Sequence, residues 1–334
     1  MIRRTVDDQY QVARSDAEEG FVRLFITTPN AAKKDVEKQV SGIMAKETKD
    51  NGWNNNDYKS LILEHLMAAR RLGFYTLYEP LHQSGVFDTS LRDGSIAELS
   101  FLANVIVPLV NAYKTNSDFD VAKIVKRYSP LLKSKTLSMD ISHQTALLQK
   151  VEDSVDALLS LWKDSNAPSC IDILRSIRET ELFPLNDRVD DLLSDPIDGE
   201  PVKIAALRAA LLAPFDMLEK YSAYVSDNTR FATHQGVKGL EFPRVMVIVD
   251  DAEAKGFSFS YEKLFGAKGK TATDIKNEKD GRDTTTNRTA RLFYVACTRA
   301  QKSLAVIVYT ENPEAVKATS LSHEWFNEDE IHIL

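Results

Sequence analysis

Cysteine is nearly missing from this chain: Cys170 and Cys297 are the only two in 334 residues, and they lie far apart. That excludes a disulfide framework and a paired-cysteine zinc knuckle, and a reducing cytoplasm is the compartment that fits. Positive charge is not in excess either, with 42 Lys and Arg against 49 Asp and Glu and a formal net charge of -7. The chain therefore lacks the bulk basic field that drives nonspecific nucleic-acid binding, and any such contact has to be local or shared with another polypeptide. Long apolar runs are scarce. The start, MIRRTVDDQY, has no apolar core after its arginines, and the greasiest segment, FLANVIVPLV, is short and broken by Asn104. Neither secretion nor a membrane span is expected.

What is present is an ordinary globular composition, 43% hydrophobic and 27% charged, in a chain longer than one hydrophobic core usually supports. Two domains are the expectation. FVRLFITT (21–28) reads as a strand, and AAKKDVEKQVSGIMAKE carries Val36, Val40, Ile43 and Met44 at helical spacing. SLILEHL reads as a second strand, and MAARRLGFYTLYEPL as a helix ending in an extended segment. From about residue 90 to 226 helical periodicities replace strand-like runs. In one of them Leu147, Val151, Val155 and Leu158 form a core stripe, and another, IAALRAALLAPF, is stopped or kinked by Pro214. Strand signals return at TRFATH, RVMVIVDD and KSLAVIVYT. The pattern predicts an α/β fold with a parallel sheet over 1–89 and 227–334, interrupted by an all-helical insertion over 90–226. GAKGKTATDIKNEKDGRDTTTNRTA (266–290) has Ile275 as its one large apolar residue and reads as a mobile loop.

Two segments imitate nucleotide-hydrolase motifs. GAKGKT has the end of a phosphate loop, but the glycine required five residues before Gly269 is Leu264, and no clear strand precedes it. VMVIVDD resembles a strand ending in a magnesium-binding acidic pair, yet buried strands commonly end in aspartates without metal.

The residues that carry chemistry lie elsewhere. In THQGVKGLEF (233–242), Gly236 and Gly239 let the backbone approach a ligand closely, Lys238 can neutralise a phosphate, and Glu241 offers an acceptor pair to sugar hydroxyls. A glycine turn into a buried strand is the plain alternative. ARLFYVACTRA (290–300) reads as a helix with Leu292, Val295 and Ala296 on one stripe and Arg299 continuing it. A guanidinium placed there needs an anion, either a structural carboxylate or a phosphate.

Together, THQGVKGLEFPRVMVIV and ARLFYVACTRAQKSLAVIV closely resemble motifs V and VI of the superfamily 1 DNA helicases related to UvrD, PcrA and Rep. The layout is similar too, since those helicases interrupt their second RecA-like domain with a mostly helical subdomain ahead of motif V. The motif match itself covers only about 35 residues. The resemblance implies a RecA-like domain of the P-loop NTPase type without its P-loop, forming the C-terminal half of a motor. In that family ATP lies between two RecA-like domains, and the first carries the phosphate loop and the magnesium aspartate.

ATP and Mg²⁺ are then cofactors of the full-length protein, and this half alone holds neither tightly. The implied partners are single-stranded or partly duplex DNA and the N-terminal RecA-like domain of the same protein, with no membrane and with 3′ to 5′ polarity. Carried over by position, Arg299 contacts the γ-phosphate across the cleft and Glu241 the ribose, with Gly239 and Arg291 on the nucleotide side. Thr233, His234 and Lys238 fall on the DNA side. The family's acidic and arginine residues before the motif VI leucine are replaced by Arg288, Thr289 and Ala290, and the gap from 251 to 290 is long. A non-enzymatic binding module derived from a helicase is the alternative, and the choice among repair, recombination and defence stays open.

Overall fold

The computed structural model describes residues 19–133, 141–163, 167–256 and 258–334. The chain forms two compact units: residues up to Arg71 together with Thr229–Leu334, and Leu72–Asn228.

The first unit is a six-stranded sheet among the described residues. Its strands are β1 (Phe21–Thr27), β2 (Lys59–Ile62), β3 (Phe231–Thr233), β4 (Phe242–Val249), β5 (Ala300–Tyr309) and β6 (Ile331–Ile333). Their order is β3-β2-β4-β5-β1-β6, and every pairing is parallel. The central strands β4 and β5 are buried without a break over Val245–Val249 and Ser303–Tyr309, which is why they read as continuous apolar runs rather than alternating ones. The helices of this unit are α1 (Lys33–Thr48), α2 (His65–Leu72), α3 (Asp251–Ala254), α4 (Tyr261–Leu264), α5 (Ala272–Lys279), α6 (Thr285–Cys297) and α7 (Pro313–Ser322). Helix α1 packs on β1 and β5, α6 on β4, and α7 on β1.

A buried ion triad ties three of these helices together. Arg71 Nε donates to Glu37 at 2.6 Å and its NH1 to Glu253 at 2.6 Å, with the arginine side chain 3% exposed. Burial pushes the Glu37 carboxyl upward against the opposing pull of Arg71. Lys33 on α1 reaches Asp250 at 2.5 Å and lies over the Tyr309 ring. Arg71, Asp250, Glu253 and Lys33 line a cleft of about 600 Å³, and each is already paired with another of them or with Glu37.

The second unit is helical. Its core is built from Leu99, Leu102, Ile106, Leu109, Ile173, Leu174, Ile177, Leu207, Leu211 and Phe215, all buried. The stretch Asp88–Lys114 is apolar enough, at mean hydropathy 1.5, to pass for a membrane span by composition, but half of it is buried within this unit. A π-turn at Leu102–Ile106 precedes Pro108, where a regular helix would lack a donor. In the helix Ile141–Ser160, Val151 and Leu158 are buried, and Pro214 separates the helices Val202–Leu211 and Phe215–Val225 rather than kinking one.

Three expectations are corrected. The first crossing between units falls at Arg71, not at residue 89, because Phe74 packs against Tyr221 and Tyr224 and the helix Tyr75–Gln83 against Val202–Leu211. That helix also replaces the extended segment anticipated after Gly73, with Pro80 inside it. The stretch 266–290 is not a bare loop, since it holds α5 and the start of α6. Its order comes from polar groups: a capping box between Thr271 and Asp274, and a 2.5 Å bond from Lys263 to Asp274. The lysine bond, with help from Thr271, holds the Asp274 carboxyl well below the usual carboxylate range.

Candidate functional site

Thr233 at the end of β3 pairs with Ile62, and Leu61 pairs with Val247, so Thr233 lies level with Ile248 near the far end of β4. Residues 234–241 must therefore carry the chain from the carboxyl edge of the sheet back to its amino edge, a return of roughly 20 Å. The stretch THQGVKGLEF is this crossover.

His234 begins it, and its ring is fully buried. A carbonyl can only accept, so Nε2–H donates to Leu61 O at 3.1 Å, leaving Nδ1 to accept the Tyr261 hydroxyl at 2.8 Å. Burial lowers the imidazole pKa to about 4 and keeps the ring neutral. The expectation that His234 touches a DNA backbone is therefore corrected: both ring nitrogens are used inside the protein, and the residue orients the turn from within. Thr233 is half-buried, and its Oγ1 accepts the Gly236 N–H at 3.0 Å. A Cβ on Gly236 would come to 2.9 Å of that oxygen, so a side chain there would push the Thr233 hydroxyl off its bond. Val237 is buried and pins the middle of the crossover, while Lys238, Gly239, Leu240 and Glu241 are exposed. Gly239 has φ +86°, a backbone region that disfavours a side chain.

At the amino edge the two motif stretches are physically joined. Helix α6 ends at Cys297, and Arg299 folds back so that Nε donates to Val295 O at 2.9 Å, NH1 to Leu240 O at 2.9 Å and NH2 to Thr298 Oγ1 at 3.0 Å. The Arg299 carbonyl in turn accepts the Phe242 N–H at 2.8 Å, and Gln301 donates to Glu241 at 3.0 Å. Arg299 meets no carboxylate among the described residues; its charge is steadied by Leu240 O and by Val295 O at the C-terminus of α6, where the helix dipole favours a cation. Three of its five donors are engaged, and two remain for an anion. The structural salt bridge that the spacing allowed is not formed.

The structure thus brings Gly239, Glu241 and Arg299 to one edge and leaves Thr233 at the other. Arg291 is not in the cluster: it sits about two turns back on α6, and its guanidinium is on Asp283 at 2.6 Å. Sequence reasoning missed Gln301, the partner of Glu241, and Tyr261, the partner of His234. The spacing of Tyr261, Leu264 and Phe265 was the available signal for the second. The two imitations of nucleotide motifs have structural roles. Thr271 caps α5 and Lys270 pairs with Glu278, while Asp250 caps α3 and Asp251 accepts from the backbone of Tyr261 and Glu262. Among the described residues no three His, Cys, Asp or Glu side chains are grouped to hold a metal.

Comparison with known proteins agrees with this geometry. The family described as the UvrD-like helicase C-terminal domain matches residues 219–311, which include the whole crossover, β4, α6 and β5. The Gabija protein GajB of Bacillus cereus (strain HuB5-5) is 21% identical over 283 residues, covering 75% of this chain and 39% of that relative. The chain therefore spans well under half the length of this relative. Residues 219–311 are a UvrD-like helicase C-terminal domain.

Proposed function

We propose that this chain is the second RecA-like half of an ATP-driven DNA helicase or translocase, with its nucleotide site completed by the N-terminal RecA-like domain of the same protein. The observation that carries the reading is the amino-edge cluster, in which Arg299 is fixed by Leu240 O and Val295 O yet faces no carboxylate. Those residues fit a nucleotide. Arg299 would hold the γ-phosphate with its two remaining donors, Glu241 would meet the ribose hydroxyls, and Gly239 would let the backbone come close. ATP, when bound, supplies the phosphoanhydride whose cleavage drives the motor, and its Mg²⁺ would be held by the other domain. Exposed Lys238 and half-buried Thr233 are the DNA-side contacts, and His234 acts behind them by fixing the turn. The crossover then works as a strut between the DNA edge and the nucleotide edge, since a shift of Leu240 moves the carbonyl that holds Arg299. A cytoplasmic setting belongs to the same reading.

The test is Arg299→Ala in the full polypeptide. DNA-stimulated ATP turnover is expected to fall by about 10³-fold or more with the fold unchanged, as for arginines that stabilise phosphoryl transfer generally. Near-normal turnover in that variant would remove Arg299 from the site.

A further inference from the structure

A second cleft, separate from the crossover site, lies in the long segment between β4 and α6 and the turn after α7. It has a volume of about 360 Å³, the size for one small ligand, and its walls include Arg282, Asn287, His323 and Trp325 together with Lys270 and Glu278, which are paired with each other at 2.8 Å. His323 is exposed and stacks on Trp325 with ring centroids 5.0 Å apart and planes 22° from parallel. Arg282 is exposed, and its guanidinium has no partner among the described residues. The indole N–H of Trp325 is buried without an acceptor among them, a state that native structures rarely leave unexplained.

We infer that this cleft binds one nucleotide unit of a single-stranded nucleic acid, with the base extending the His323–Trp325 stack and the phosphate held by Arg282. A stacked aromatic pair beside a cation that has no carboxylate partner is the combination that takes a base with its attached phosphate, because every base presents a π-face and every linkage a negative charge. Thr286 and Asn287 add a hydroxyl and an amide to the same wall. A row of buried rings also links the cleft wall to the crossover. His234 packs on Tyr261, Tyr261 on Phe293, and Phe293 on Trp325, with centroid separations of 5.6, 5.9 and 5.9 Å. A base seated on His323 therefore rests at the end of an aromatic row that begins under the DNA-side turn. This inference rests on the nucleic-acid reading of the crossover and adds to it a base-stacking site.

Titration of the full chain with an oligothymidylate, thymidine monophosphate and a duplex, read by tryptophan fluorescence and by the anisotropy of labelled DNA, tests it. Of the three tryptophans Trp53 is fully buried and Trp162 packs against Phe215 in the helical unit, so quenching that disappears in Trp325→Phe reports the cleft. The oligothymidylate is expected to quench. His323→Ala should weaken its binding about fivefold or more, and Arg282→Ala should weaken it and reduce the salt slope by about one. Both positions are exposed, and an unchanged melting temperature verifies folding. Quenching by thymidine monophosphate at similar concentrations supports the same chemistry and assigns it to free nucleotides. Oligothymidylate binding that is weakened by Lys238→Ala but indifferent to His323→Ala, Arg282→Ala and Trp325→Phe overturns the cleft and leaves the crossover reading intact. Binding of duplex alone overturns the cleft, and failure of the chain to bind any nucleic acid overturns both.

Discussion

His234 shows how a motif residue can hold a turn from inside the protein. Its ring has an ordinary pKa near 6.5 when unfolded and about 4 when buried between Leu61 O and Tyr261. Between those values the unfolded chain binds a proton that the folded chain refuses, so stability falls as pH is lowered from about 6.5 to about 4, by up to about 3 kcal/mol. Chemical denaturation across that range should show the slope, and His234→Gln should flatten it. An unchanged slope in the variant would mean that the ring is not held neutral. The histidine was legible in the sequence as part of a motif, but its burial was not. That depends on a tyrosine 27 positions away, in the long segment between the two motifs. Arg299 was the reverse case. The continuation of an apolar helical stripe by an arginine was visible, and the structure keeps its charge away from any carboxylate among the described residues.

Among the elements, those read best were the ones whose residues pack without a break. The runs VMVIV and LAVIVY could be read as buried parallel strands because both faces are covered. The three-residue β6 gave no signal, and β2 ends at Ile62 where SLILEHL suggested a longer strand. Helix α5 was missed because it is ordered by caps and ion pairs rather than by apolar burial. Thr271→Ala removes its capping box and should cost about 1 kcal/mol locally, speeding amide exchange over 272–279 about fivefold. Equal exchange rates in both proteins would show that the cap does not order the segment. Arg71 binds helices α1, α2 and α3 through two buried carboxylates. Arg71→Ala would strand both, and the denaturation midpoint should report a loss of about 3–5 kcal/mol. A loss below about 1 kcal/mol would show the triad to be no more than a surface-like pairing.

For the molecule as a whole, the sheet unit is assembled from two separated stretches of chain, and the helical unit is inserted between them. The alternation of strand and helix at both ends made this arrangement readable, but the boundary at Arg71 was hidden because Phe74 and Tyr78 find their aromatic partners near residues 221 and 224. The functional proposal depends on a similar division of labour. In that proposal this chain would supply an arginine, a glutamate and a glycine turn to a nucleotide edge, and the phosphate loop and metal-holding residues would come from the other domain. The most direct measurement is ATP turnover, with and without single-stranded DNA, by this chain alone and by the polypeptide that joins it to its N-terminal RecA-like domain. The account predicts DNA-stimulated turnover in the joined polypeptide and none in the chain alone. Turnover by the chain alone, or none in either, would contradict it.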